Sequence, residues 1–465
     1  AAQSRVRVTP QLIRVSDDSH MWADRYDAVL ADVFEVQSKI AEQVVGALNV
    51  SLAGSERQVL HAKPAENPEA YDLYLQGVDY FNRGVDARDL QSAAGLFSRA
   101  VALDSNFARA WAMLAQTRAL SYWEYYDHSP ANLEAVRQSV ERAFALAPDF
   151  PEVRIARGYY FYWGRRDYSA ALQEFERARQ NGGDAAQLLN AIGLVQRRQG
   201  RWDEALASLR EAARREPRVR AYANDLGETA CLMRLYDECA RIAAGMIQLT
   251  PDSYNGYAYQ INARLALADL AGARRSLDSG SVQVGREQML GRVTLFWLPQ
   301  ATEAERREIA GLSMAAFGMD TVSYFRDKAK AWRLLGEGQR ARTYYDSLRV
   351  YLEQRLAAQA DDPAYHGNLG VALAWLGRAP EAVREARRGA ELLPLSKDAY
   401  AGGDQLVWLA EAQTVGGMAD SALANLARAL AGPGWFNRTL LANDPTWAPL
   451  RSHPRYRELV AGGSR

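Results

Sequence analysis

LLNAIGLVQRRQGRWDEALASLREAARREP, residues 188–217, carries the spacing that decides the fold. Gly193 is followed twelve residues on by Ala205, then by Leu209, Ala212 and Pro217 at steps of 4, 3 and 5. The same five-point spacing returns at Gly227, Cys239, Ala243, Met246 and Pro251, and again at Gly370, Ala382, Ala386, Gly389 and Pro394. Packing explains it. Two antiparallel helices need a small residue where they cross, hence a Gly early in the first helix and an Ala early in the second. The larger residue that follows fills the gap, and the proline ends the pair because it cannot continue a helix. Gly200, Gly336 and Gly377 fall between the two helices, where a helix C-terminus needs a positive φ.

This pattern resembles the tetratricopeptide repeat, a helix pair of about 34 residues. The resemblance implies an all-α fold, an α-α superhelix or solenoid in which each unit stacks on its neighbours and leaves a long concave surface. Less perfect copies fill the rest of the chain. One is marked by Gly77, Phe97, Ala100 and Ser105, with extra residues in the turn from Gly84 to Asp89. Others are marked by Trp111, Leu114, Ala143 and Pro148, and by Gly158, Ala171, Phe175 and Ala178. Tyr257 to Leu277, Phe325 to Leu348 and Leu406 to Ala429 are further copies, giving about nine units over roughly residues 68–432. Residues 280–320 lose the Gly, Ala and Pro marks. There TEAERREIAGL offers a capping box, Thr302 with Glu305, and the segment reads as a degenerate helix pair.

The opening residues differ. RVRVTPQLIRV alternates Val6, Val8 and Leu12 as a strand, SDDSH is a turn, and HMWADRYD reads as the second strand of a hairpin. ADVFEVQSKIAEQVVGALNVSL is an amphipathic helix with Phe34, Ile40, Val44, Leu48 and Leu52 on one stripe. AKPAENPEAYDLY, with Pro64 and Pro68, is a linker. The expected organisation is a short α/β segment at 1–63, the repeat array at 64–432 and a capping tail at 433–465. Residues 11–48 look like the end of the small α/β domain related to the TolB amino-terminal region. In bacterial signalling proteins that domain often precedes tetratricopeptide repeats. Such parents include serine/threonine protein kinases, class III adenylate cyclases and CadC-type regulators. The tail, ELLPLSKDAYAGGDQLVWLAEAQTVGGMADSALANLARAL with LLANDPTWAPLRSHPRYRELV, is similar to the closing region of the repeat-bearing kinases. The chain has no glycine-rich loop, HRD or DFG of its own. It reads as part of a longer protein whose chemistry lies elsewhere, and its compartment depends on whether a membrane span precedes it.

Composition narrows the function classes. Lys plus Arg and Asp plus Glu are each 56, so the net charge is zero, which disfavours nucleic acid as the main partner. No apolar run reaches the length of a membrane span; the densest, Val293 to Leu298, is six residues long. Cys231 and Cys239 read as small buried residues of one helix pair, with a redox pair as the alternative. His20, His61, His128, His366 and His453 are scattered, in surface or capping positions rather than as metal ligands. No phosphate loop, dinucleotide fingerprint or nucleophile elbow occurs, and no cofactor is implied. Alternating charges, as in QEFERARQ and EAVREARRG, read as solvated helix faces with i, i+4 pairs.

The aromatics are richer. SYWEYYDH at 121–128 and GYYFYWGRRDY at 158–168 hold more rings than the repeat motif requires. Counting from Gly158, Phe161 takes the motif's aromatic core place. Tyr159 and Tyr162 then fall on the face that lines the concave surface in arrays of this kind. By the same count Gln187, Asn190, Leu194 and Arg197 line the next unit, and Asn224 and Glu228 the one after. Two readings of the aromatic cluster stay open: rings packed against the amino-terminal segment, or contacts to a ligand. The two-carboxylate clamp of chaperone-binding arrays is not reproduced in this lysine-poor chain. The expected function is therefore a non-catalytic module, the sensory or regulatory part of a bacterial signalling protein, a kinase before a cyclase or regulator. It would hold a peptide or partner protein in the groove. A substrate-orienting accessory role and self-association of the array are the alternatives.

Overall fold

The computed structural model describes residues 5–14, 17–29, 33–48, 65–83 and 86–462. They form two compact units, residues 1–120 with 135–148, and residues 121–134 with 149–465. The expected break at residue 63 lies outside the described residues, and the expected linker, residues 62–74, is helical from Pro68 on rather than a linker.

In the first unit the single expected hairpin is two short ladders. β1 (Arg5–Val8) pairs antiparallel with β4 (Tyr26–Val29), and β2 (Gln11–Arg14) pairs with β3 (Ser19–Ala23). Pro10 breaks the first long strand because it cannot donate to a ladder. Helix α1 (Val33–Ala47) follows. Of its expected stripe Ile40 and Val44 are half-buried and Leu48 is exposed, whereas the Phe34 side chain and Leu52 are outside the described residues. The first helix pair is α2 (Pro68–Asn82) with α3 (Ala87–Leu103). Asn67 starts it by accepting the backbone N–H groups of Glu69 and Ala70. A Cβ on Gly77 would come within 2.6 Å of the Phe97 ring, so the early Gly is the contact point of the pair. Helices α4 (Ala108–Trp123) and α5 (Pro130–Leu146) contribute residues to both units.

The second unit continues as helix pairs. These are α6 (Pro151–Tyr159) with α7 (Tyr168–Gln180), α8 (Ala185–Arg198) with α9 (Trp202–Arg215), and α10 (Arg220–Leu232) with α11 (Tyr236–Leu249). Next come α12 (Tyr254–Ala266) and α13 (Leu270–Gly280). The crossing rule holds in atomic terms: a Cβ on Gly193 would meet Leu209 at 2.8 Å, and one on Gly370 would meet the Ala386 Cβ at 2.6 Å. Gly200, Gly336 and Gly377 have φ of 78°, 79° and 85°, so the glycines between paired helices do end them in the left-handed region.

Residues 281–320 are not a helix pair. A π-helical turn (Ser281–Gly285) leads to α14 (Arg286–Arg292), α15 (Thr294–Trp297), α16 (Glu303–Gly311) and a 3-10 turn (Met314–Phe317). The capping box of Thr302 and Glu305 is present. The apolar run supplies the reason for the irregular path: Val293, Trp297 and Leu298 are buried at the centre of a large core, which short helices surround more closely than a pair could.

Pairs resume with α17 (Thr321–Leu334) and α18 (Gly338–Ala358), α19 (Pro363–Trp375) and α20 (Ala379–Leu392), and α21 (Ala401–Val415) and α22 (Ala419–Ala431). The tail, α23 (Arg438–Asn443), a 3-10 turn (Pro445–Leu450) and α24 (Pro454–Ala461), buries Leu441, Trp447, Leu450 and Tyr456 in the core around Trp297.

Stacking on neighbours alone does not describe this unit. Arg234 donates to the carbonyls of Leu430 and Phe436, and Gly434 N–H donates to Leu232 O at 3.0 Å. Lys330 pairs with Asp444 at 2.5 Å, and Ala399 N–H donates to Arg198 O at 2.7 Å. Distant segments thus bond to the first helices of the pairs. The physical reason is that the loop 394–400 and the tail carry polar backbone and aromatic groups that complement the exposed faces of α8 and α10.

Candidate protein-interaction site

Asn190, Leu194 and Arg197 recur at helical spacing on one face of α8, and Asn224 and Glu228 do so on α10. The fold brings these faces together with residues 121–128 and 398–404. At its centre lies Arg198, only 5% exposed. Its guanidinium sits 3.8 Å from the Tyr400 ring centre and 4.8 Å from that of Trp123. Its Nε donates to the Tyr162 hydroxyl at 3.2 Å, and its NH1 lies 3.5 Å from Asp398 Oδ2. Tyr168 donates to that same carboxylate oxygen at 2.5 Å, while Asp398 Oδ1 accepts the N–H groups of Tyr400 and Ala401 at the start of α21. Stacked, fully desolvated arginine of this kind needs every partner in place.

Beside it Arg197 NH1 donates to Glu228 Oε2 at 2.7 Å and to Thr229 Oγ1 at 3.1 Å, and Tyr400 donates to Glu228 Oε1 at 2.8 Å. Burial works to raise the Glu228 carboxyl, but the Arg197 charge with the hydrogen bonds from Tyr400 and Arg197 holds it below its ordinary value.

Next to this network is a recess that keeps solvent contact. Glu124 is surface-accessible and makes no ion pair among the described residues. The protein wall around it, then the Glu228 carboxylate, pushes its carboxyl up to about 7. Asp225 is half-buried and pushed up to about 6, again by burial, against the pull of Arg197 and the Asn190 amide. Asn190 Nδ2 donates to Asp225 Oδ2 at 2.8 Å, and Asn190 Oδ1 is buried with no partner. Tyr259 donates to Asn224 Oδ1 at 3.1 Å. Tyr254 borders the recess, with the exposed Arg292 4.8 Å over its ring.

The expected groove residues separate into groups. Tyr162, Asn190, Leu194, Arg197, Asn224 and Glu228 do come together; Tyr162 is 1% exposed and its hydroxyl reaches Leu194 O at 3.5 Å. Gln187 stands half-buried in the first turn of α8, where its N–H is held by Asp184. Tyr159 points into the helix pair, stacked on Trp163 at 3.9 Å and edge-on to Phe175. After Tyr159 a π-helical turn (Tyr160–Gly164) follows, whose wider winding rotates the face, and Phe161 is only half-buried, under Arg157, and not in the motif's core place.

Other expectations are also corrected. Of the rings of 121–128, Trp123 lies against Arg198 and Tyr162, whereas Tyr122 and Tyr125 sandwich His128, Tyr125 donates to Asp362 at 3.0 Å, and His128 Nε2 lies 3.1 Å from the same carboxylate. His128 is therefore a buried partner, whereas His453 does cap a helix, accepting the Arg455 N–H. Cys231 and Cys239 are buried as expected but joined in a disulfide that ties α10 to α11. Glu174, in QEFERARQ, is buried among Arg154, Arg157 and Arg177 and is no solvated face. Sequence reasoning missed Arg198, Asp398 and Tyr400, because no local spacing marks a bond to a residue some two hundred positions away. Asp225 and Glu124 were within reach, the first as the neighbour of Asn224 and the second as one of two acids among the rings of 121–128.

Among the described residues no helix is long and apolar enough to cross a membrane. The tetratricopeptide repeat family model matches residues 162–219 and 190–238. The putative adenylate cyclase 3 of Rhizobium meliloti (strain 1021) is 30% identical over 183 residues, covering 38% of this chain and 29% of the relative. The chain thus spans under a third of that relative's length. Among solved structures, the type IV pilus biogenesis factor PilW is 15% identical, covering 46% of this chain and 94% of its own, with a TM-score of 0.37. YrrB, a TPR protein with an unusual peptide-binding site, is 16% identical, covering 40% of this chain and 91% of its own, with a TM-score of 0.29. The human IFIT1 dimer with m7Gppp-AAAA is 14% identical, covering 77% of this chain and 78% of its own, with a TM-score of 0.43. With their crossing glycines and left-handed turn glycine, the matched residues 162–238 carry tetratricopeptide repeats.

Proposed function

We propose that this chain is a non-catalytic protein-interaction module whose docking surface is the recess beside the Arg197–Arg198 network. The observation that carries the reading is the contrast in satisfaction there: Arg198 and Glu228 are fully engaged, while Glu124 is exposed with no ion pair among the described residues, the Asn190 carbonyl oxygen is buried without a donor, and Tyr222 lies near Asp225. A rigid, ready-made wall with open polar groups favours binding, since little ordering remains to be done on association. A protein partner rather than nucleic acid is supported by the zero net charge and by the carboxylates at the recess. The tail at 433–465 serves as the cap of the array at 64–432, and the segment at 1–63 as the end of a separate α/β domain.

The module belongs to the regulatory part of a bacterial signalling protein. The 30% identity to a putative adenylate cyclase supports a cyclase parent over a kinase parent. Photo-crosslinking in cells tests the docking surface: a benzophenone amino acid replacing Tyr254 or Tyr222 is expected to capture one partner, and the same group at the exposed Arg214 to capture none. Equal capture at all three positions contradicts the reading. Deletion of residues 65–462 from the parent is expected to leave its catalytic turnover intact and abolish its regulation.

A further inference from the structure

We infer that the chain has a second docking surface, the groove over α12 between α11 and α13, and that it takes an extended, acidic segment of a partner protein. The groove has a volume of about 590 Å³. Helix α12 gives it Tyr257, Gln260 and Arg264 at helical spacing, α13 gives Arg275 and Ser279, and α11 gives Gln248. The three residues of α12 share a side turned away from Tyr259, whose hydroxyl reaches Asn224 beside the recess. Groove and recess thus lie on different sides of that helix.

Charge selects the occupant. The lining holds two arginines and no carboxylate. Arg264 NH1 donates to Asp269 Oδ2 at 2.9 Å, and Asp269 Oδ1 accepts the Gly272 N–H, so that carboxylate is already engaged. Arg275 is exposed and makes no ion pair among the described residues, which leaves its positive charge unanswered. A carboxylate side chain meets that guanidinium with charge-assisted hydrogen bonds. Gln248, Ser279 and Gln283 are exposed too, without hydrogen-bond partners among the described residues. Ser276 Oγ donates to Gln260 Oε1 at 3.1 Å, which holds that amide in place and leaves its N–H groups to donate. Side-chain amides both donate and accept, so they suit the unpaired N–H and C=O groups of an extended backbone. Val282, in the π-helical turn after α13, lines the groove as well and is 81% exposed, an apolar contact waiting for a partner. From Tyr257 to Arg264 the helix runs about 10 Å, the length of about three extended residues. Two arginines among amides, in a chain of zero net charge, do not form the basic track that a nucleic-acid backbone requires.

The test is a ligand-observed NMR titration of the intact chain with the capped peptide Ser-Glu-Val-Glu-Ser and with Ser-Gln-Val-Gln-Ser, which keeps the shape and removes the charge. The glutamate peptide is expected to bind about threefold to fivefold more tightly, with a preference that shrinks as salt rises from about 0.05 M to about 0.3 M. Arg275→Gln, at an exposed side chain without an ion pair, removes the preference. Ser279→Trp, also at an exposed position, fills the groove and abolishes binding of both peptides. Arg218→Gln, between α9 and α10, changes neither. Equal binding of the two peptides, no binding of either, a preference that survives Arg275→Gln, or binding that survives Ser279→Trp overturns the inference. So does an oligouridylate that binds more tightly than the glutamate peptide and loses that affinity in Arg275→Gln, which would assign the groove to phosphate. The reading of the recess stands or falls separately, on crosslinking at Tyr254 and Tyr222.

Discussion

The two faces of α8 and α9 use the same residue types to opposite ends. On the outer side Arg201 pairs with Glu204, and Arg214 and Arg215 pair with Glu211, one turn apart and in water. On the inner side Arg197 and Arg198 meet Glu228 and Asp398, carboxylates from elsewhere in the chain, with aromatic rings against them. Screening and side-chain entropy make the first kind nearly neutral for stability. Desolvation makes the second kind all-or-none, because a lone buried charge is costly. The difference teaches that charge in a repeat array does two jobs: keeping the outside dissolved, and fixing where distant segments dock.

The hardest blow to this contrast is Arg198→Met. It strands Asp398 and empties the sandwich between Tyr400 and Trp123, so a loss of roughly 3–5 kcal/mol is expected in urea unfolding followed by circular dichroism. A loss no larger than that of an outer arginine would erase the distinction between the faces. A smaller effect sharpens it within the paired helices. The disulfide closes a span of eight residues between α10 and α11. Replacing Cys231 and Cys239 by Ala, the residue the motif favours at 239, is expected to lower stability by about 2–3 kcal/mol in oxidising buffer and to leave it insensitive to reductant. Persistent sensitivity to reductant would show that the bond is not what ties the pair.

A third effect depends on pH. Burial pushes the Asp404 carboxyl up to about 7 from an ordinary 3.8, against the pull of Arg326. Between those values the folded chain holds a proton that the unfolded chain gives up. Stability from this group is therefore greatest below about pH 4 and falls as pH rises to about 7. Asp404→Asn is expected to remove that slope, so the variant gains on the wild type as pH rises, as thermal melts from pH 4 to 8 would register. A difference between the two proteins that does not vary with pH would exclude Asp404 as a buried acid.

Much of the repeat was legible because its rules are local. A glycine twelve residues before an alanine fixes a crossing, and a glycine after a helix fixes a turn, whatever the rest of the chain does. The register failed at Tyr160–Gly164 because a π turn leaves the sequence pattern looking helical while rotating the face by part of a turn. Residues 281–320 escaped for a different reason: Trp297 and its neighbours are buried by segments from far along the chain, so their apolar run obeys no helix-pair period. The candidate site divides the same way. Asn190, Arg197, Asn224 and Glu228 share one face by simple counting, whereas Asp398 and Tyr400 reach it through loop geometry that no spacing encodes.

The central claim is that the inner face is held by the chain's own distant segment through desolvated arginine. A double-mutant cycle on Arg198→Met and Asp398→Asn, run beside one on Arg201→Ala and Glu204→Ala, tests it most directly. The account predicts a coupling of at least about 1.5 kcal/mol for the inner pair and none measurable for the outer pair. Additive effects at Arg198 and Asp398 would contradict it.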